Sequence, residues 1–393
     1  MRVVGIHRPA TVSGVSASGV RLAALPEPFT PWRPLVIGET PDGDPAGLLE
    51  RSPLRDAPGV AACAWGPGAD VPTRLSLMRA SLREMRAEVV VPNDLPEGFA
   101  AAALEPEMAI AAWYHADHHD GDELLLRCGE LADAWRAVSE RGAGRVRRRA
   151  AEWSLAIRGG GGVCPSCVEV PARPPAPRSA DGRLSLLYAG RLEKQTKRVL
   201  DLAALAVSMR GADVPLRLVI AGAGPAEEEL RSAARDLGVL DSLEFRGVVP
   251  LAQMRGLVAE CDAAVLVSES EGMPTIVMEA MAGGRPVAIT TGCGMAASIV
   301  RHGIDGWLAT TGDMVSLGSA IAASWRHNAM QSMGEAAHAK AVAQFSPLAM
   351  GPAYDALIIE AAAARASRPS AARRWDAVLA AIEALGELSA SEL

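Results

Sequence analysis

The 393-residue sequence has no long hydrophobic run. Its apolar residues fall in short runs, none approaching the roughly 20 needed for a helical membrane span. The N-terminus, MRVVGIHRPA, shows neither the long apolar stretch nor the small-residue cleavage site of a secretory signal, so a soluble, cytoplasmic protein is expected. No disulfide framework is legible either. Of six cysteines only Cys164 and Cys167 are close, and one CxxC without a second pair is weak evidence for zinc or redox chemistry, so free loop thiols are expected. Net positive charge is also missing. At −7 the chain offers no global attraction to nucleic acid, and contact with an anionic membrane surface is not indicated. Two local arginine runs stand out, Arg74, Arg79, Arg83 and Arg86 at near-helical spacing and Arg145, Arg147, Arg148 and Arg149. They are expected to be solvated helix faces, with an anionic acceptor or lipid as the alternative.

What is present is length and alternation. At 393 residues the chain exceeds one ordinary core, so two domains and a cleft between them are expected. Composition changes at VPARPPAPRSADGR, where four prolines interrupt any helix or central strand. This divides the chain into an N-terminal domain over 1–170, a Pro-rich linker over 171–183, a second domain over 184–345 and C-terminal helices over 346–393. Before the linker, strands are predicted at 1–7, 34–38, 60–65, 88–92 and 108–115. After it, the segments LSLLYAG, LRLVIAG, LEFRG, AAVLVS and RPVAIT alternate with amphipathic helices. Short apolar strands alternating with helices specify parallel sheets covered on both faces, so two doubly wound, Rossmann-like α/β domains are predicted.

Ligands of such sheets bind beyond the carboxyl ends of the strands. In the second half that selects Gly190 and Arg191, Gly222 to Pro225, Gly247, Glu269 to Gly272 and Thr290 to Gly294. Within SESEGMPTIVMEAMAGGRP, Pro274 is expected at the first helical position, Gly272 allows close backbone approach, and Gly283-Gly284 closes the helix. Free N–H groups at that helix start would attract an anion. Glu271 before it and Glu279 inside it would accept hydrogen bonds from sugar hydroxyls on either side of a phosphate. Taken alone, the pair is equally well read as a loop charge and a solvated helix residue. Arg191, directly after a strand, and Lys197, expected to open the next helix, supply counter-charge for a diphosphate. Ion pairing with Glu193 would account for one of the two more easily than for both.

From Leu184 to about Gly306 the chain resembles the donor-binding domain of the retaining glycosyltransferase family 4, the group 1 glycosyltransferases, whose architecture is GT-B with two Rossmann-like domains facing a central cleft. The resemblance is carried in order by GRLEKQTK, LVIAGAGP, LEFRGVVP, the two glutamates of EGMPTIVMEAMA with seven residues between them, and GCGMAASIVRHGIDGWL. It implies that Arg191 and Lys197 bind the diphosphate, that Glu279 holds the ribose, and that Glu271 contacts the donor sugar. Backbone over Met273, Pro274 and Thr275 would then meet sugar hydroxyls, and Arg246 with Gly247 would border the base, beside Gly222. Ala297 departs from the family, which usually has glutamate there. In the N-terminal half the similarity is fainter: SGVSASGVRLA places Gly14 near donor phosphates or acceptor, AAWYHADHHD places His115 near the reacting sugar, and FSPLAMGPAYDAL resembles the helix that crosses back to the first domain.

The implied activity is transfer of a sugar, with retention and without metal or other cofactor, from a nucleotide-diphosphate donor to a hydroxyl acceptor that is a small metabolite, a glycan or a lipid headgroup. UDP-sugars are the first donor expectation and GDP-mannose the second. His115, Asp117, His118, His119, Asp120 and Asp122 meet no recognised metal-ligand spacing, and His115 is preferred as a neutral hydrogen-bonding group. Two other readings compete: a sugar-nucleotide isomerase of the 2-epimerase type, which needs no second sugar acceptor, and a non-catalytic nucleotide-sugar-binding protein.

Overall fold

The computed structural model describes residues 1–9, 14–115, 122–159, 161–174, 182–293 and 296–365. It divides into two compact units, one from Met1–Ser166 together with the chain from Met350 onward, the other Cys167–Ala349.

In the first unit the elements run β1 (Val3–His7), α1 (Gly14–Ala23), β2 (Trp32–Glu39), α2 (Pro45–Glu50), β3 (Ala61–Trp65), α3 (Val71–Glu84), β4 (Val89–Val91), α4 (Pro96–Ala103), β5 (Ala109–Tyr114), α5 (Asp122–Gly129), β6 (Ala134–Ala137) and α6 (Glu140–Glu152). Among the described residues these strands form one six-stranded sheet, ordered β3-β2-β1-β4-β5-β6. Every pairing is parallel. Helices cover both faces, so β1, β4 and β5 are buried throughout rather than alternating. Each fully buried Val, Leu or Ile there contributes roughly 1.5–3 kcal/mol. Asp70 starts α3 by accepting the Thr73 N–H, and Ser139 starts α6 by accepting that of Gly142.

The second unit runs β7 (Leu184–Ala189), α7 (Asp201–Gly211), β8 (Leu216–Ala221), α8 (Glu227–Asp236), β9 (Leu243–Gly247), α9 (Leu251–Ala259), β10 (Ala263–Leu266), α10 (Thr275–Ala282), β11 (Val287–Thr290), α11 (Ala296–Ile299), β12 (Gly306–Ala309), α12 (Met314–Arg326) and α13 (Met330–Phe345). Its sheet is ordered β12-β11-β10-β7-β8-β9 and is again parallel throughout. The last described helix, α14 (Pro347–Arg365), lies from Met350 onward in the first unit. There the Tyr354 hydroxyl donates to the Pro165 carbonyl at 2.7 Å and its ring meets Trp32 and Trp113 edge-on. A Cβ on Gly351 would lie 2.4 Å from the Phe29 ring, which is why the helix lacks a side chain at that point.

The strands β6 and β12 were not anticipated. Each lies at one end of its sheet, and neither AWRA, with its arginine, nor GWLA, which starts on glycine, shows as an apolar run. The arginine runs prove to be locally engaged. Arg79 and Arg83 both donate to Glu105, at 2.6 and 2.8 Å, and Arg74 lies over the Trp65 ring. Arg145 is buried, Arg147 lies over Trp135, and Arg149 pairs with Glu152 at 2.9 Å. All six cysteines are buried free thiols, and no described helix is long and apolar enough to cross a membrane.

Candidate functional site

Both sheets reverse strand order beside their first strand, β1 against β4 in one unit and β7 against β10 in the other. Loops leaving the two strands at such a reversal diverge and open a crevice at their carboxyl ends.

In the second unit that crevice is spanned by an ion pair. Lys197, after β7, donates to both oxygens of Glu271, after β10, at 2.7 and 2.8 Å. The Ser268 hydroxyl donates to the same carboxylate at 2.7 Å. Ser268 is fully buried and its carbonyl accepts from the Thr290 hydroxyl at 2.9 Å, so Glu271 is anchored through Ser268 to the end of β11. The two loops are also joined by their backbones, Glu269 N–H donating to the Thr196 carbonyl at 2.8 Å. Cys293 lies close enough to Glu271 that burial first, and the carboxylate next, push its thiol up to about 12.

Lys197 does not open a helix. Arg198 is left-handed, with φ 49°, and its guanidinium donates to Asp201 at 2.8 Å, so α7 begins only at Asp201 and Lys197 lies in the preceding turn. Glu193 is taken by Thr196, whose hydroxyl donates to it at 3.1 Å, and not by either expected cation. Arg191 is exposed, and its side chain has no ion-pair partner among the described residues. Its backbone is rigidly placed, the Arg191 carbonyl accepting from the buried Tyr188 hydroxyl at 3.0 Å.

Two glycines make that placement possible. Gly222 has φ 149°, and a Cβ there would lie 1.9 Å from the Gly190 carbonyl oxygen; one on Gly224 would lie 2.2 Å from that of Leu192. The β8 loop thus packs backbone to backbone on the loop that carries Arg191, tied by Leu192 N–H to the Ala223 carbonyl and Ala226 N–H to the Leu192 carbonyl, both at 3.0 Å. Gly222 N–H in turn donates to the carbonyl of Gly247, at 2.7 Å.

Pro274 is not the first helical residue but the N-cap of α10, with ψ 101° and no side-chain cap. Its carbonyl accepts the Val277 N–H at 3.0 Å. Thr275 therefore opens the helix, Gly272 and Met273 lie in the loop before it, and Glu279 sits one turn inside, half-buried. Arg246 is exposed and pairs at 2.5 Å with Glu244, two residues back on the same face of β9. Glu244 also accepts from Arg217 at 2.7 Å, and that hydrogen bond holds its carboxyl below the usual range.

In the first unit, Gly14 is the first residue of α1. His115 follows β5, its Nε2 3.2 Å from Asn93 Oδ1 and its backbone N–H donating to Asp94 at 2.9 Å. Asn93 also contacts His7 at the end of β1. Asp117, His118, His119 and Asp120 lie outside the described residues, and among the described ones no group of three His, Cys, Asp or Glu is placed to hold a metal ion.

Burial holds His7 down to about 4, and burial followed by its neighbour His7 holds His115 down to about 3. Unfolded, both would titrate near the ordinary histidine value of about 6.5. Between those limits the unfolded chain binds more protons, so the stability is complete above the unfolded value and is lost as pH falls toward the folded ones, by up to roughly 1.4 kcal/mol per pH unit for each ring. Urea unfolding followed by tryptophan fluorescence should show a lower midpoint at about pH 5 than at neutral pH; an equal or higher one would contradict this environment for the two rings.

Residues 183–327 match the family described as Glycosyl transferases group 1. That segment of the second unit is thus similar to the group 1 glycosyltransferases, and each unit is a parallel, Rossmann-like α/β domain of the kind found in GT-B structures. The chain is 30% identical over 279 residues to an exopolysaccharide phosphotransferase of Streptomyces coelicolor, an alignment covering 66% of this chain and 27% of that protein. It is 33% identical over 146 residues to a glycogen synthase of Mycobacterium tuberculosis, covering 37% of this chain and 35% of the other. The chain thus spans about a quarter to a third of these relatives' lengths. Among solved structures, Anabaena HepE in complex with UDP-glucose superposes with a TM-score of 0.71 at 16% identity, over 91% of this chain and 98% of that one.

Sequence reasoning missed Ser268, Tyr188, His7, Asn93 and Asp94. All but Tyr188 lie at or just after a strand's carboxyl end, and the rule applied to the second half would have flagged His7, Asn93 and Asp94 in the first.

Proposed function

We propose that the protein is a retaining glycosyltransferase that moves a sugar from a nucleotide-diphosphate donor to a hydroxyl acceptor without a metal ion. The observation that carries this reading is the Lys197–Glu271 pair, set across the strand reversal of the second unit just before the uncapped start of α10. An ammonium and a helix N-terminus converge where a diphosphate would lie, and the exposed Arg191 adds a forked cation on the β7 side. Together they would stabilise the charge that develops on the leaving group, the task otherwise given to a divalent ion. A bound diphosphate would draw Lys197 from Glu271 and leave that carboxylate, still anchored by Ser268, to accept from hydroxyls of the transferred sugar. Glu279, a turn into α10, would hold the ribose. His115 would contribute a neutral imidazole near the reacting sugar.

A UDP-sugar is the first choice of donor, supported by the UDP-glucose bound in the Anabaena neighbour. Release of free nucleotide from a panel of UDP- and GDP-sugars, measured in excess EDTA with and without hydroxylated acceptors, tests the whole reading. Acceptor-dependent release supports it; acceptor-independent epimerisation of the donor, or release that requires an added divalent ion, removes it.

The glutamates separate further. Ribose contacts are shared by ground and transition states, so Glu279→Gln should mainly raise KM, whereas Glu271→Gln, beside the ring that gains positive charge, should mainly lower kcat. Calorimetry with the free nucleotide diphosphate should show weaker binding to Glu279→Gln and near-wild-type binding to Glu271→Gln. The opposite ranking overturns the two roles.

A further inference from the structure

Three side chains at the carboxyl ends of adjacent strands β1, β4 and β5 form one hydrogen-bonded chain, and its donors and acceptors follow from a fixed point. That point is the backbone carbonyl of Ile6, which can only accept. Asn93 Nδ2 lies 3.0 Å from it, so the amide is oriented with its nitrogen there and its oxygen on the other side. The second hydrogen on Nδ2 faces His7 Nε2 at 3.3 Å, so that ring nitrogen accepts and neutral His7 carries its proton on Nδ1. Asn93 Oδ1 faces His115 Nε2 at 3.2 Å, so that nitrogen must donate, which leaves Nδ1 of neutral His115 without a proton.

The surroundings hold this arrangement firmly. Asn93 and Asp94 are both left-handed, with φ 50° and 61°, a conformation that asparagine and aspartate tolerate better than most residues and that needs support from contacts. The support comes from Ile6 on one side and from the His115 N–H donating to Asp94 on the other. The Trp113 ring lies 4.2 Å from that of His115, and a Cβ on Gly19 would lie 2.6 Å from His7 Cε1, so α1 packs directly on the His7 ring. His7 is buried, and its Nδ1 has no hydrogen-bond partner among the described residues. Protonating His7 at Nε2 would set one N–H against another at Asn93.

We propose that Asn93, kept in one orientation by Ile6 and His7, is a positioning residue that locks His115 in the Nε2–H tautomer and so makes its Nδ1 an obligate acceptor for a hydroxyl of the transferred sugar. The hydroxyl partner rests on the glycosyl-transfer reading; the tautomer stands on the hydrogen bonds alone. An obligate acceptor attracts a hydroxyl hydrogen and repels a carboxylate or phosphate oxygen, so it selects a neutral sugar at that position. Among the described residues, His7, from β1, and Asp94, after β4, are titratable groups beside His115, and one oxygen of Asp94 accepts the His115 backbone N–H.

Long-range proton–nitrogen correlation NMR on the full chain labelled with ¹⁵N-histidine, near neutral pH, reads the tautomer directly, with His115 assigned by loss of its signals in His115→Gln. Wild type should show a protonated Nε2 and an unprotonated Nδ1. Asn93→Gly, which tolerates the left-handed backbone, should give a mixture of tautomers and about a tenfold fall in kcat/KM for the donor. If that variant fails to fold, Asn93→Ala, which removes the same acceptor, should likewise give a mixture of tautomers. A protonated Nδ1 in wild type, or an unchanged tautomer in the variant that folds, overturns the lock. A chain that shows the lock yet transfers no sugar from any donor sinks the functional reading instead.

Discussion

Replacing Lys197 with alanine is expected to lower turnover by about a hundredfold or more, equivalent to roughly 3 kcal/mol of transition-state stabilisation. The reason lies in the pair it forms. Lys197 and Glu271 have 21% and 13% of their side chains exposed, so both charges are largely withdrawn from water, where an electrostatic contact counts for more than on an open surface. At this depth the ammonium would exchange the Glu271 carboxylate for a diphosphate oxygen. Removing it also leaves Glu271 as a partly buried anion supported only by hydrogen bonding, which would repel the donor as well as fail to stabilise the leaving group. Arg191→Ala is expected to fall by a similar factor with less change in stability, because that side chain is exposed and unpaired among the described residues. Steady-state rates with saturating donor decide the matter. If both single variants retain turnover within about twofold of wild type, neither cation meets the leaving group.

The second large effect comes from a residue with no side chain. In Gly222→Ala the new methyl carbon would overlap the Gly190 carbonyl oxygen, at 1.9 Å, on a backbone with φ 149° that alanine rarely adopts. Neither atom of that clash is a flexible side-chain end, so the β7 and β8 loops must separate. Overpacking and backbone strain together should cost the second unit about 3 kcal/mol, and for a unit of this size that lowers its melting temperature by roughly 6 to 12 °C. Since the displaced loop carries Arg191, activity should fall even below the melting transition. Gly211→Ala is the matched control: it lies in α7 with nothing within 4 Å of the added carbon, and it should be neutral or slightly stabilising. A Gly222→Ala protein that melts with wild type would show that the loops have room to part.

Lys197 and Glu271 are charged residues next to apolar runs, and the rule that ligands gather at strand ends selects both. Their direct contact was not legible, because it depends on β10 lying beside β7 although two strands, β8 and β9, separate them in chain order. Both helix starts lie a few residues from the expected positions, for local reasons. Proline at 274 fits a first helical turn by its φ, but its ψ of 101° makes it the cap; Lys197 lies in a helical-looking stretch that Arg198 breaks with a positive φ. Glycines 222 and 224 read as an unspecific pair, since their function is to admit another segment's backbone, and that segment is some thirty residues away.

The alternation of short apolar strands with amphipathic helices, and with it two parallel, doubly wound sheets, was legible in the chain, because burial on both faces forces apolar runs of fixed length that are visible one residue at a time. Which charges meet depends on how the sheets pack. Tertiary packing also set which way Asn93 faces between His7 and His115, and the edge strands β6 and β12 that complete the two sheets. A hydrogen bond between strand ends is a relation between residues far apart in the chain, such as the 74 positions from Lys197 to Glu271, and its geometry exists only after the sheets have brought those ends together.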